Sequence, residues 1–491
     1  MHDILSRIDV SRLKGLTQDS RAVREGYLFA AIQGVQNDGR RYIADAIRHG
    51  ACVILAPENT EFPETSGVTF VQDANPRSAL AHLSAAFYKR QPAHCVAVTG
   101  TNGKTSTALF VQQLWNLAGK RSASLGTLGV LGGDGVACSV TGAGSMTTPD
   151  PVALHAVLSD LSASGVDHMA LEASSHGLDQ YRLDGLRIEA AGFTNLSRDH
   201  LDYHPDMAEY KRAKMRLFSE VLSADGVAVL NADVPEYAEI SAICAGRHIK
   251  VISYGFSASN LKIITISPQS QGQVLTLEVL GHPVKVTLPL VGAFQAMNAL
   301  CALGLVSAHE PEKAQDYAAY LAQLKGAPGR LQAVRGHPAG AGVYVDYAHT
   351  PDALETVLKA LRPHTAGALV CVFGCGGNRD KGKRPVMGQI AGRLADRVIV
   401  TDDNPRSEDP AQIRFEILKG VQQALESDDR REAIRLAIAG LQSGDVLVIA
   451  GKGHEQGQVF EKHTDPFDDV DEAKTAIETL RKDFHKMQKE M

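Results

Sequence analysis

The chain has 491 residues, which at about 150 residues per domain predicts about three domains. Its formal net charge is -6 and it contains no polybasic stretch, so we expect neither nucleic-acid nor membrane binding. The seven cysteines form no CxxC pair and the N-terminus has no apolar core before a cleavage site, so we expect no disulfide framework, no zinc site and a cytoplasmic protein.

Short strands and helices alternate along the first 90 residues. The runs GYLFAAI and ACVILA are typical of strands, whereas RRYIADAIRHG and RSALAHLSAAFYKR show helical spacing. The sequence KRQPAHC then breaks the pattern. We therefore predict a small N-terminal α/β domain over residues 1–90.

Buried-strand runs between residues 91 and 325 repeatedly end in polar loops, as in CVAVTG, HMALEASS and GVAVLNAD. Strands that alternate with helices in this way predict a parallel sheet covered on both faces. Residues 261–290 instead alternate with period two, which predicts a small antiparallel sheet. Beyond LKGAPGRLQ, four further strand-to-loop units predict a third α/β domain over residues 326–491. The predicted fold class is α/β with three domains.

A glycine-rich loop, GTNGKT, joins the strand CVAV to the helix KTSTALFVQQLWNLAG. Gly100 and Gly103 allow close approach of the backbone, Lys104 can reach outer phosphates, and the Thr105 hydroxyl can ligate Mg²⁺. The loop is shorter than the general GxxxxGK[ST] pattern, because Val98 stands where the first glycine would be. We predict a nucleoside triphosphate site; the alternative is a turn that only packs the helix on the strand.

Acidic and histidine residues follow two later strands. Glu172 ends a strand, at the edge where open α/β sheets bind ligands, and its carboxylate could hold Mg²⁺. The segment FTNLSRDHLDYH places Asp199, His200, Asp202 and His204 within six residues, which also fits a solvated turn.

A helical wheel of YKRAKMRLF predicts that Lys214 points inward. It shares one face with Tyr210, Ala213, Leu217 and Phe218. Three other basic residues point elsewhere: Lys211, Arg212 and Arg216. A desolvated lysine becomes a nucleophilic amine unless a carboxylate keeps it protonated, so a buried ion pair, or a snorkelling side chain, stays open as the alternative.

Polar loops also follow the strands of the third predicted domain. The sequence TDDNPRSEDP contains an Asp-Asn-Pro-Arg turn, which by itself is a common solvated loop. The loop GCGG would suggest a second nucleotide site, but no Lys-Thr or Lys-Ser pair opens the following helix. We therefore do not expect a second phosphate loop.

The shortened loop GTNGKT resembles the signature of the Mur ligases and of the related folylpolyglutamate synthases, which are ATP-dependent amide-forming enzymes. The N-x-x-x-D-H-x-D pattern of residues 195–202 and the motif MTTPDP also resemble Mur ligases, and TQDSRAVREGYLFAAIQGVQNDGRRYIADAIRHGA resembles the uridine-nucleotide-binding domain of their muramyl-peptide members. The resemblance covers essentially the whole chain. It implies a uridine-nucleotide-binding domain, a central P-loop ATPase-like domain and a C-terminal Rossmann-like domain.

The resemblance implies residues for each ligand. Those for ATP are Gly100, Thr101, Asn102, Gly103, Lys104, Thr105, Ser106, Asn298, Arg330, Asp346 and His349. Those for Mg²⁺ are Thr105, Glu172, His200 and Lys214, the last as a carbamate. Those for the UDP-muramyl dipeptide are Gln18, Ser20, Val35, Gln36, Asn37, Thr147, Thr148, Ser174, Gln180 and Arg182. Those for diaminopimelate are Arg379, Asp403, Asn404, Pro405, Arg406, Gly451 and Glu455.

Four of these residues are implied to be catalytic: Lys104, Lys214, His200 and Arg330. Taken singly, some assignments have structural alternatives. Asn298 fits a helix-surface amide, Arg330 a linker cation and Asp346 a cap for the following helix.

The resemblance implies ATP-dependent addition of meso-diaminopimelate to UDP-N-acetylmuramoyl-L-alanyl-D-glutamate through an acyl phosphate, in peptidoglycan precursor synthesis, by a monomer. Diaminopimelate differs from lysine by a second carboxylate, which a guanidinium recognises through a bidentate fork, so Arg406 is expected to bind it. A lysine-adding member of the family, a folylpolyglutamate synthase-like ligase and a regulatory nucleotide switch remain alternatives.

Overall fold

The computed structural model describes residues 4–34, 37–133, 146–269 and 271–490. The chain divides into two compact units. The first comprises Met1–Lys262, Glu278–His282 and Met297–Tyr320, and the second comprises Ile263–Leu277, Pro283–Ala296 and Leu321–Met491. The α/β class is confirmed, because helices alternate with strands that are mostly parallel. The domain boundaries at residues 90 and 325 stay predictions.

The first unit begins with a small parallel sheet. Its elements are α1 (Ile4–Arg7), β1 (Gly15–Thr17), β2 (Tyr27–Ala30), α2 (Ile43–Arg48), β3 (Ala51–Pro57), β4 (Thr69–Asp73) and α3 (Pro76–Tyr88). The strands lie in the order β1-β2-β3-β4 and all pair in parallel. Helix α3 starts where expected, because Asn75 caps it through Ser78 N and Pro76 occupies its first turn.

A larger sheet follows in the same unit. Its elements are β5 (His94–Thr99), α4 (Lys104–Leu117), β6 (Ser122–Gly126), β7 (Gly129–Gly132), α5 (Pro151–Ala163), β8 (His168–Glu172), α6 (Ser175–Asp179), β9 (Ile188–Phe193), α7 (Met207–Arg216), a π-helical turn (Leu217–Val221), β10 (Leu222–Asn231), α8 (Tyr237–Gly246) and β11 (Lys250–Gly255). The order is β11-β10-β9-β5-β8-β6-β7, parallel except for the β6–β7 pair. The carboxyl ends of β5, β8 and β9 therefore meet at one edge, where the phosphate loop begins.

The period-two segment forms a meander of β12 (Leu261–Gln269), β13 (Gly272–Val279) and β14 (His282–Leu288), followed by α9 (Ala293–Ser307) and α10 (Ala314–Tyr320). The strands are hydrogen-bonded neighbours in chain order. A connection as short as Leu280–Gly281 permits only antiparallel pairing, so the predicted antiparallel strands are confirmed.

The last part of the second unit contains a six-stranded sheet and a separate antiparallel pair of short strands. Its elements are β15 (Gln332–Ala333), β16 (Gly342–Asp346), α11 (Pro351–Leu361), β17 (Leu369–Phe373), α12 (Lys383–Leu394), β18 (Arg397–Val400), α13 (Pro410–Leu418), β19 (Leu425–Glu426), α14 (Arg430–Ala439), β20 (Val446–Ala450), β21 (Gly457–Val459), β22 (Thr464–Pro466) and α15 (Asp469–Glu490). The order is β15-β16-β20-β17-β18-β19, with only the β15–β16 pair antiparallel. Apolar clusters cover both faces, as expected for a parallel sheet.

In the part of the chain that the structure describes, no helix combines the length and apolar character needed to cross a lipid bilayer.

Candidate active site

The predicted phosphate loop connects β5 to α4 and requires glycine at two positions. Gly100 has φ +145° and Gly103 has φ +90°. A Cβ atom at Gly100 would lie 1.9 Å from Thr194 Oγ1, and one at Gly103 would lie 2.3 Å from Asn298 Oδ1. Asn298 on α9 therefore packs directly against the loop, as expected for a residue of the nucleotide site.

The loop is fastened to the segment that follows β9. Thr101 N donates to Asn195 O at 2.8 Å, and Asn102 N donates to Asn195 Oδ1 at 3.0 Å. Thr194 Oγ1 donates to Asn102 O at 2.6 Å, and Thr101 Oγ1 lies 3.0 Å from Tyr210 OH. The Asn195 side chain thus holds the loop backbone, a role that the sequence pattern did not indicate.

Lys104 folds back over the loop that precedes it. Its Nζ donates to Gly100 O at 2.9 Å and to Thr101 O at 2.8 Å. Lys104 is the first residue of α4, and Ser106 in the same turn is buried. Lys104, at the helix N-terminus, therefore places a positive charge where phosphate binding is favoured.

Glu172 lies at the end of β8 with 3% of its surface exposed. Oε1 accepts from Thr127 N at 2.9 Å, Oε2 accepts from Thr127 Oγ1 at 3.2 Å, and the Thr105 hydroxyl also bonds this carboxylate. Burial raises the pKa of Glu172, and the positive charge of Lys104 is the main opposing influence. The predicted carboxylate and the predicted hydroxyl are therefore in direct contact.

Lys214 is 1% exposed, so the prediction that it points inward is confirmed. The other predicted members of its face are also buried: Tyr210, Ala213, Leu217 and Phe218. Lys214 Nζ donates to Gly100 O at 2.7 Å and lies 4.5 Å from the centre of the Tyr210 ring. Burial, reinforced by Lys104, holds the pKa of Lys214 well below its usual range. Among the described residues no carboxylate forms an ion pair with it, which removes the ion-pair alternative there.

Arg216 lies off the Lys214 face, as predicted, but it is also buried. Its Nη2 is 2.8 Å from Asp184 Oδ1, and its Nη1 donates to Leu178 O at 2.6 Å. A helical wheel cannot show which element covers a second face, so sequence reasoning missed this buried ion pair.

His200 lies in a group of aromatic rings beside Tyr210. Its ring centre is 4.9 Å from that of His176, and its Nε2 is 3.6 Å from Asp199 Oδ2. Burial, followed by the neighbouring histidines, lowers the pKa of His176 to about 4. The structure therefore brings His200 near the ring on which Lys214 rests.

The donor atoms at this edge fit a magnesium ion in part. Mg²⁺ prefers oxygen ligands, which the Glu172 carboxylate and the Thr105 hydroxyl supply. His200 offers a nitrogen, and Lys214 offers an oxygen only after carbamate formation. We therefore find a fit at Thr105 and Glu172.

A cleft in the first unit collects several predicted sugar-nucleotide residues. It is lined by Gln18, Ile32, Arg77, Leu80, Asp150, Pro151, Gln180 and Arg182. Arg182 donates to Gln180 Oε1 at 2.8 Å and to Thr148 O at 2.5 Å. Sequence reasoning missed Arg77, because a single charged residue in a helical pattern gives no motif. It assigned no role to Asp150, although this residue belongs to the motif MTTPDP.

The remaining sugar-nucleotide predictions are distributed around this region. Thr148 Oγ1 lies 3.0 Å from Ser174 Oγ, and Thr147 Oγ1 lies 3.1 Å from Thr127 Oγ1. Ser20 and Asn37 do not line the cleft. Val35 and Gln36 lie outside the described residues.

Three predicted nucleotide residues lie together in the second unit. Asp346 ends β16 and accepts from Leu331 N at 2.7 Å and Ala348 N at 2.8 Å. The Arg330 guanidinium lies 4.6 Å from the centre of the Tyr347 ring. Burial raises the pKa of Asp346, and Arg330 opposes this shift. Asp346 does not cap the following helix, so the structural alternative for this residue does not hold.

The cap of α11 is instead Thr350, whose hydroxyl accepts from Ala353 N. His349 Nδ1 lies 2.9 Å from Tyr347 O, and burial lowers the pKa of His349. Asp346 and His349 therefore lie at the carboxyl end of β16, and Arg330 reaches this end from another segment by its contact with Tyr347.

The predicted acceptor loops meet at the carboxyl edge of the six-stranded sheet. Asn404 Nδ2 donates to Glu455 Oε2 at 2.8 Å, and Asn404 Oδ1 accepts from Lys452 Nζ at 2.8 Å. Gly451 has φ +118°, and a Cβ atom there would lie 2.5 Å from Asp403 Oδ2. Lys452 is completely buried, and sequence reasoning missed its contact with Asn404.

Arg406 lies beside the glycine-rich loop after β17. It has φ +53°, and its Nη1 donates to Gly377 O at 2.9 Å. A Cβ atom at Gly376 would lie 2.8 Å from Arg406 Nη1 and 3.7 Å from Arg379 Cγ. Two predicted arginines therefore flank Gly376, while Pro405 is buried beneath them.

A buried arginine supports that loop. Arg384 is fully buried and donates to Glu408 Oε2 at 3.0 Å, Glu416 Oε2 at 2.8 Å and Gly376 O at 3.2 Å. Glu408 also accepts from Asn378 N at 2.5 Å, and the bond from Arg384 lowers the pKa of Glu408 to about 2. Sequence reasoning missed this network.

Three family models match successive parts of the chain. They are the Mur ligase family catalytic domain over residues 12–88, the Mur ligase middle domain over 98–306 and the Mur ligase glutamate ligase domain over 329–453.

Two curated relatives carry the name UDP-N-acetylmuramoyl-L-alanyl-D-glutamate--2,6-diaminopimelate ligase. The protein of Caulobacter vibrioides is 50% identical over 467 residues, covering 95% of this chain and 96% of its own. That of Chelativorans sp. (strain BNC1) is 50% identical over 468 residues, with 95% of each chain covered. A solved structure of the same name has a TM-score of 0.73 at 35% identity, covering 96% of this chain and 95% of its own.

Proposed function

The chain belongs to the Mur ligase family, and we propose that it is an ATP-dependent, ADP-forming ligase. It joins meso-diaminopimelate to the D-glutamate residue of UDP-N-acetylmuramoyl-L-alanyl-D-glutamate, a step of peptidoglycan precursor synthesis. Whole-length similarity to ligases with that name supports the substrates. One observation carries the amide-forming chemistry: at one sheet edge the phosphate loop meets a buried carboxylate and a buried amine that, among the described residues, has no carboxylate partner.

The reaction follows from the weakness of a carboxylate as an electrophile. The D-glutamate carboxylate oxygen attacks the γ-phosphorus of ATP, an O–P bond forms, and ADP leaves. The diaminopimelate amine then attacks the carbonyl carbon of the acyl phosphate. The tetrahedral intermediate loses inorganic phosphate as the amide forms, and a proton leaves the nitrogen.

The loop residues supply positioning and charge stabilisation for the first step. Backbone N–H groups between Gly100 and Ser106 and the Lys104 ammonium favour the triphosphate. Asn298, Arg330, Asp346 and His349 are proposed to contact the rest of the nucleotide. An arginine near a γ-phosphate stabilises the charge that develops on transfer.

We assign Thr105, Glu172, His200 and Lys214 as the residues that hold magnesium. Bound Mg²⁺ would neutralise phosphate charge and polarise the transferring group. The lowered pKa of Lys214 leaves an amine free to react with carbon dioxide, and the resulting carbamate adds an oxygen ligand. Glu172 and Thr105 need no such modification.

The acceptor groups suit a substrate with two amines and two carboxylates. Arg406 and Arg379 flank one loop and offer guanidinium groups for carboxylates. Asn404 Nδ2 donates to Glu455 Oε2 and so orients the Glu455 carboxylate, which is proposed to bind an ammonium group. Asp403, Pro405 and Gly451 are proposed to line the same site.

The sugar-nucleotide groups suit a polar, anionic substrate. Gln18, Gln180 and Arg182 share one cleft, and Thr148 and Ser174 are connected to it by hydrogen bonds. Thr147, the neighbour of Thr148 in the chain, is proposed for the same substrate. Ser20, Val35, Gln36 and Asn37 are proposed for the uridine end. We further propose that the enzyme acts as a monomer in the cytoplasm, where ATP is available.

A phosphate-release assay with a panel of amino acids tests this function. We expect release only when UDP-muramyl dipeptide, ATP and meso-diaminopimelate are all present, with the amide product confirmed by mass. Efficient use of lysine would identify a lysine-adding ligase instead. Release with a folate or without any amine would contradict the proposal.

A further inference from the structure

Two histidines and one glutamate converge at the end of β5 opposite to the phosphate loop. His94 begins β5, Glu189 is the second residue of β9, and His309 follows α9. His94 Nδ1 lies 2.9 Å from Glu189 Oε2, and His309 Nδ1 lies 3.8 Å from the same oxygen. The three ligand atoms lie within 4.8 Å of one another. Three elements therefore direct donor atoms to one point.

The surroundings leave that point accessible and orient the carboxylate. The side chain of His94 is 26% exposed, that of Glu189 is 19% exposed and that of His309 is 51% exposed. Arg187 Nη2 lies 3.8 Å from Glu189 Oε1, the oxygen that faces away from the histidine contacts. Arg187 therefore interacts with one carboxylate oxygen while Oε2 stays directed at the two imidazoles.

Ring packing fixes the orientation of His94. Its ring centre lies 4.1 Å from that of His309 and 4.6 Å from that of His168. His168 is held in turn by Asp167, whose Oδ1 is 2.7 Å from His168 Nδ1, and by the edge of Trp115 at 4.9 Å. This packing restricts rotation of the His94 ring and keeps its Nδ1 directed at Glu189.

We propose that His94, Glu189 and His309 bind a first-row transition-metal ion, with Zn²⁺ as the physiological candidate. Two imidazoles and one carboxylate form a known three-ligand zinc set, with a fourth position left for water. Tetrahedral zinc needs ligand atoms about 3.4 Å apart, so small side-chain rotations suffice. Mg²⁺ would not suit this site, because it prefers oxygen ligands throughout.

The cysteine spacing gave no sign of zinc, and this site uses no cysteine. Its ligands come from segments far apart in sequence, so the ion would tie the starts of β5 and β9 to the turn after α9. Those elements lead to functional groups at their other ends: β5 continues into Gly100, and α9 carries Asn298 beside Gly103. The bound ion would therefore stabilise the strands and the helix that hold the phosphate loop.

Zinc titration into the metal-free, full-length protein tests the proposal. Binding is measured by competition with a chromophoric chelator at pH 7.5, without substrates. The fluorescence of Trp115, the only tryptophan of the chain, provides a second readout when Co²⁺ replaces Zn²⁺. We expect one equivalent of Zn²⁺ to bind and to raise the thermal unfolding midpoint.

Site variants decide whether that equivalent occupies this cluster. His309→Asn and Glu189→Gln should each weaken Zn²⁺ binding at least about tenfold, the lower end of the loss for groups that only orient a ligand. His463→Asn is the matched control, because His463 is 60% exposed and lies 3.5 Å from a single carboxylate, Asp465. It should keep the unmodified affinity.

Two outcomes would overturn the site. One is unchanged zinc affinity in both site variants, which would place the ion elsewhere, for example at the histidines around His200. The other is no zinc binding by the unmodified protein at micromolar concentrations. His309 lies in an exposed turn, so its variant tests the site even if Glu189→Gln folds poorly. None of these measurements depends on the ligase assignment.

Discussion

Lys214 donates a hydrogen bond to the carbonyl oxygen of Gly100 at 2.7 Å. Lys104 donates to the same oxygen at 2.9 Å, so two amino groups share one acceptor at the start of the phosphate loop. Two positive charges at this separation repel each other, and Lys214 is the more buried of the two. The structure therefore favours a neutral Lys214 beside a charged Lys104.

Lys214→Ala should reduce ligation by at least about 100-fold, the loss typical of one preorganised charge-stabilising group. The physical reason is that the variant can neither form a carbamate nor hold the Gly100 carbonyl. Turnover is measured by phosphate release, and a short carboxylic acid should restore part of it if the carbamate matters. Lys211→Ala is the control on the same helix, because its partly exposed ammonium contacts Glu239 and not the phosphate loop. Normal turnover in Lys214→Ala would end this assignment.

Glu172→Gln should raise the Mg²⁺ concentration needed for half-maximal activity and lower kcat at saturating Mg²⁺. The amide keeps the shape of the side chain but removes the charge, and it can put an NH₂ group near the Thr127 hydroxyl, which now donates to Oε2. A magnesium titration of phosphate release measures the effect. Glu239→Gln, an exposed carboxylate, should leave the titration unchanged. An identical magnesium dependence in Glu172→Gln would remove Glu172 from the metal site.

The sequence locates those groups whose position depends on residues that are close to them in the chain. The phosphate loop is contiguous, and Lys214 follows from helical period, because both depend on neighbours within one turn or one loop. Arg216 shows the limit. Its wheel position was correct, yet its burial depends on Asp184, 32 residues away.

The supporting network around the acceptor loops escaped prediction for the same reason. Lys452 donates a hydrogen bond to Asn404, which lies 48 residues earlier in the chain. Arg384, on α12, donates to both Glu408 and Glu416. Such contacts arise only when parallel strands bring their loops to one edge. The sequence motifs indicate the residues that are expected to contact substrate. The residues that keep those side chains in place belong to no recognisable sequence pattern.

Arg406→Ala should lower kcat/KM for meso-diaminopimelate by about 100-fold or more, equivalent to roughly 3 kcal/mol for a desolvated charged pair. Arg406→Lys should recover little of this, because an ammonium lacks the planar fork that matches a carboxylate. Steady-state kinetics with diaminopimelate and lysine as competing amines measures the effect. Arg393→Ala is the control, because it removes an exposed guanidinium that contacts Glu355. Equal use of both amines by the unmodified enzyme would contradict this role.

Arg384→Met should raise the KM for diaminopimelate at least several-fold while leaving nucleotide binding intact. Without the guanidinium, Glu408 and Glu416 lose their shared partner, and Gly376 O loses a donor. The loop from Gly376 to Arg379 is then no longer held in place by Arg384. ATP affinity, measured by equilibrium titration, serves as the internal control. Equal losses for both substrates would indicate general unfolding and not a positioning role.

His155 connects protonation to the stability of the first unit. It is 2% exposed on α5, and its Nε2 lies 3.4 Å from Asp184 O. Burial is the main cause that lowers the pKa of His155 from 6.5 to about 4. The unfolded chain therefore binds a proton between these two pH values while the folded protein does not, so stability rises with pH across that window and falls on acidification.

His155→Gln should remove this dependence, because glutamine is neutral throughout and can still donate to the Asp184 carbonyl. Between pH 7 and pH 4 the unmodified protein should lose about 3 kcal/mol more unfolding free energy than the variant, an order-of-magnitude value from the shift of His155. Urea unfolding followed by the fluorescence of Trp115 reports on this unit, since Trp115 is a buried residue of α4. All other titrating groups are common to both proteins, so the difference between the two curves isolates His155. Parallel curves over this range would show that His155 does not stay neutral in the folded state.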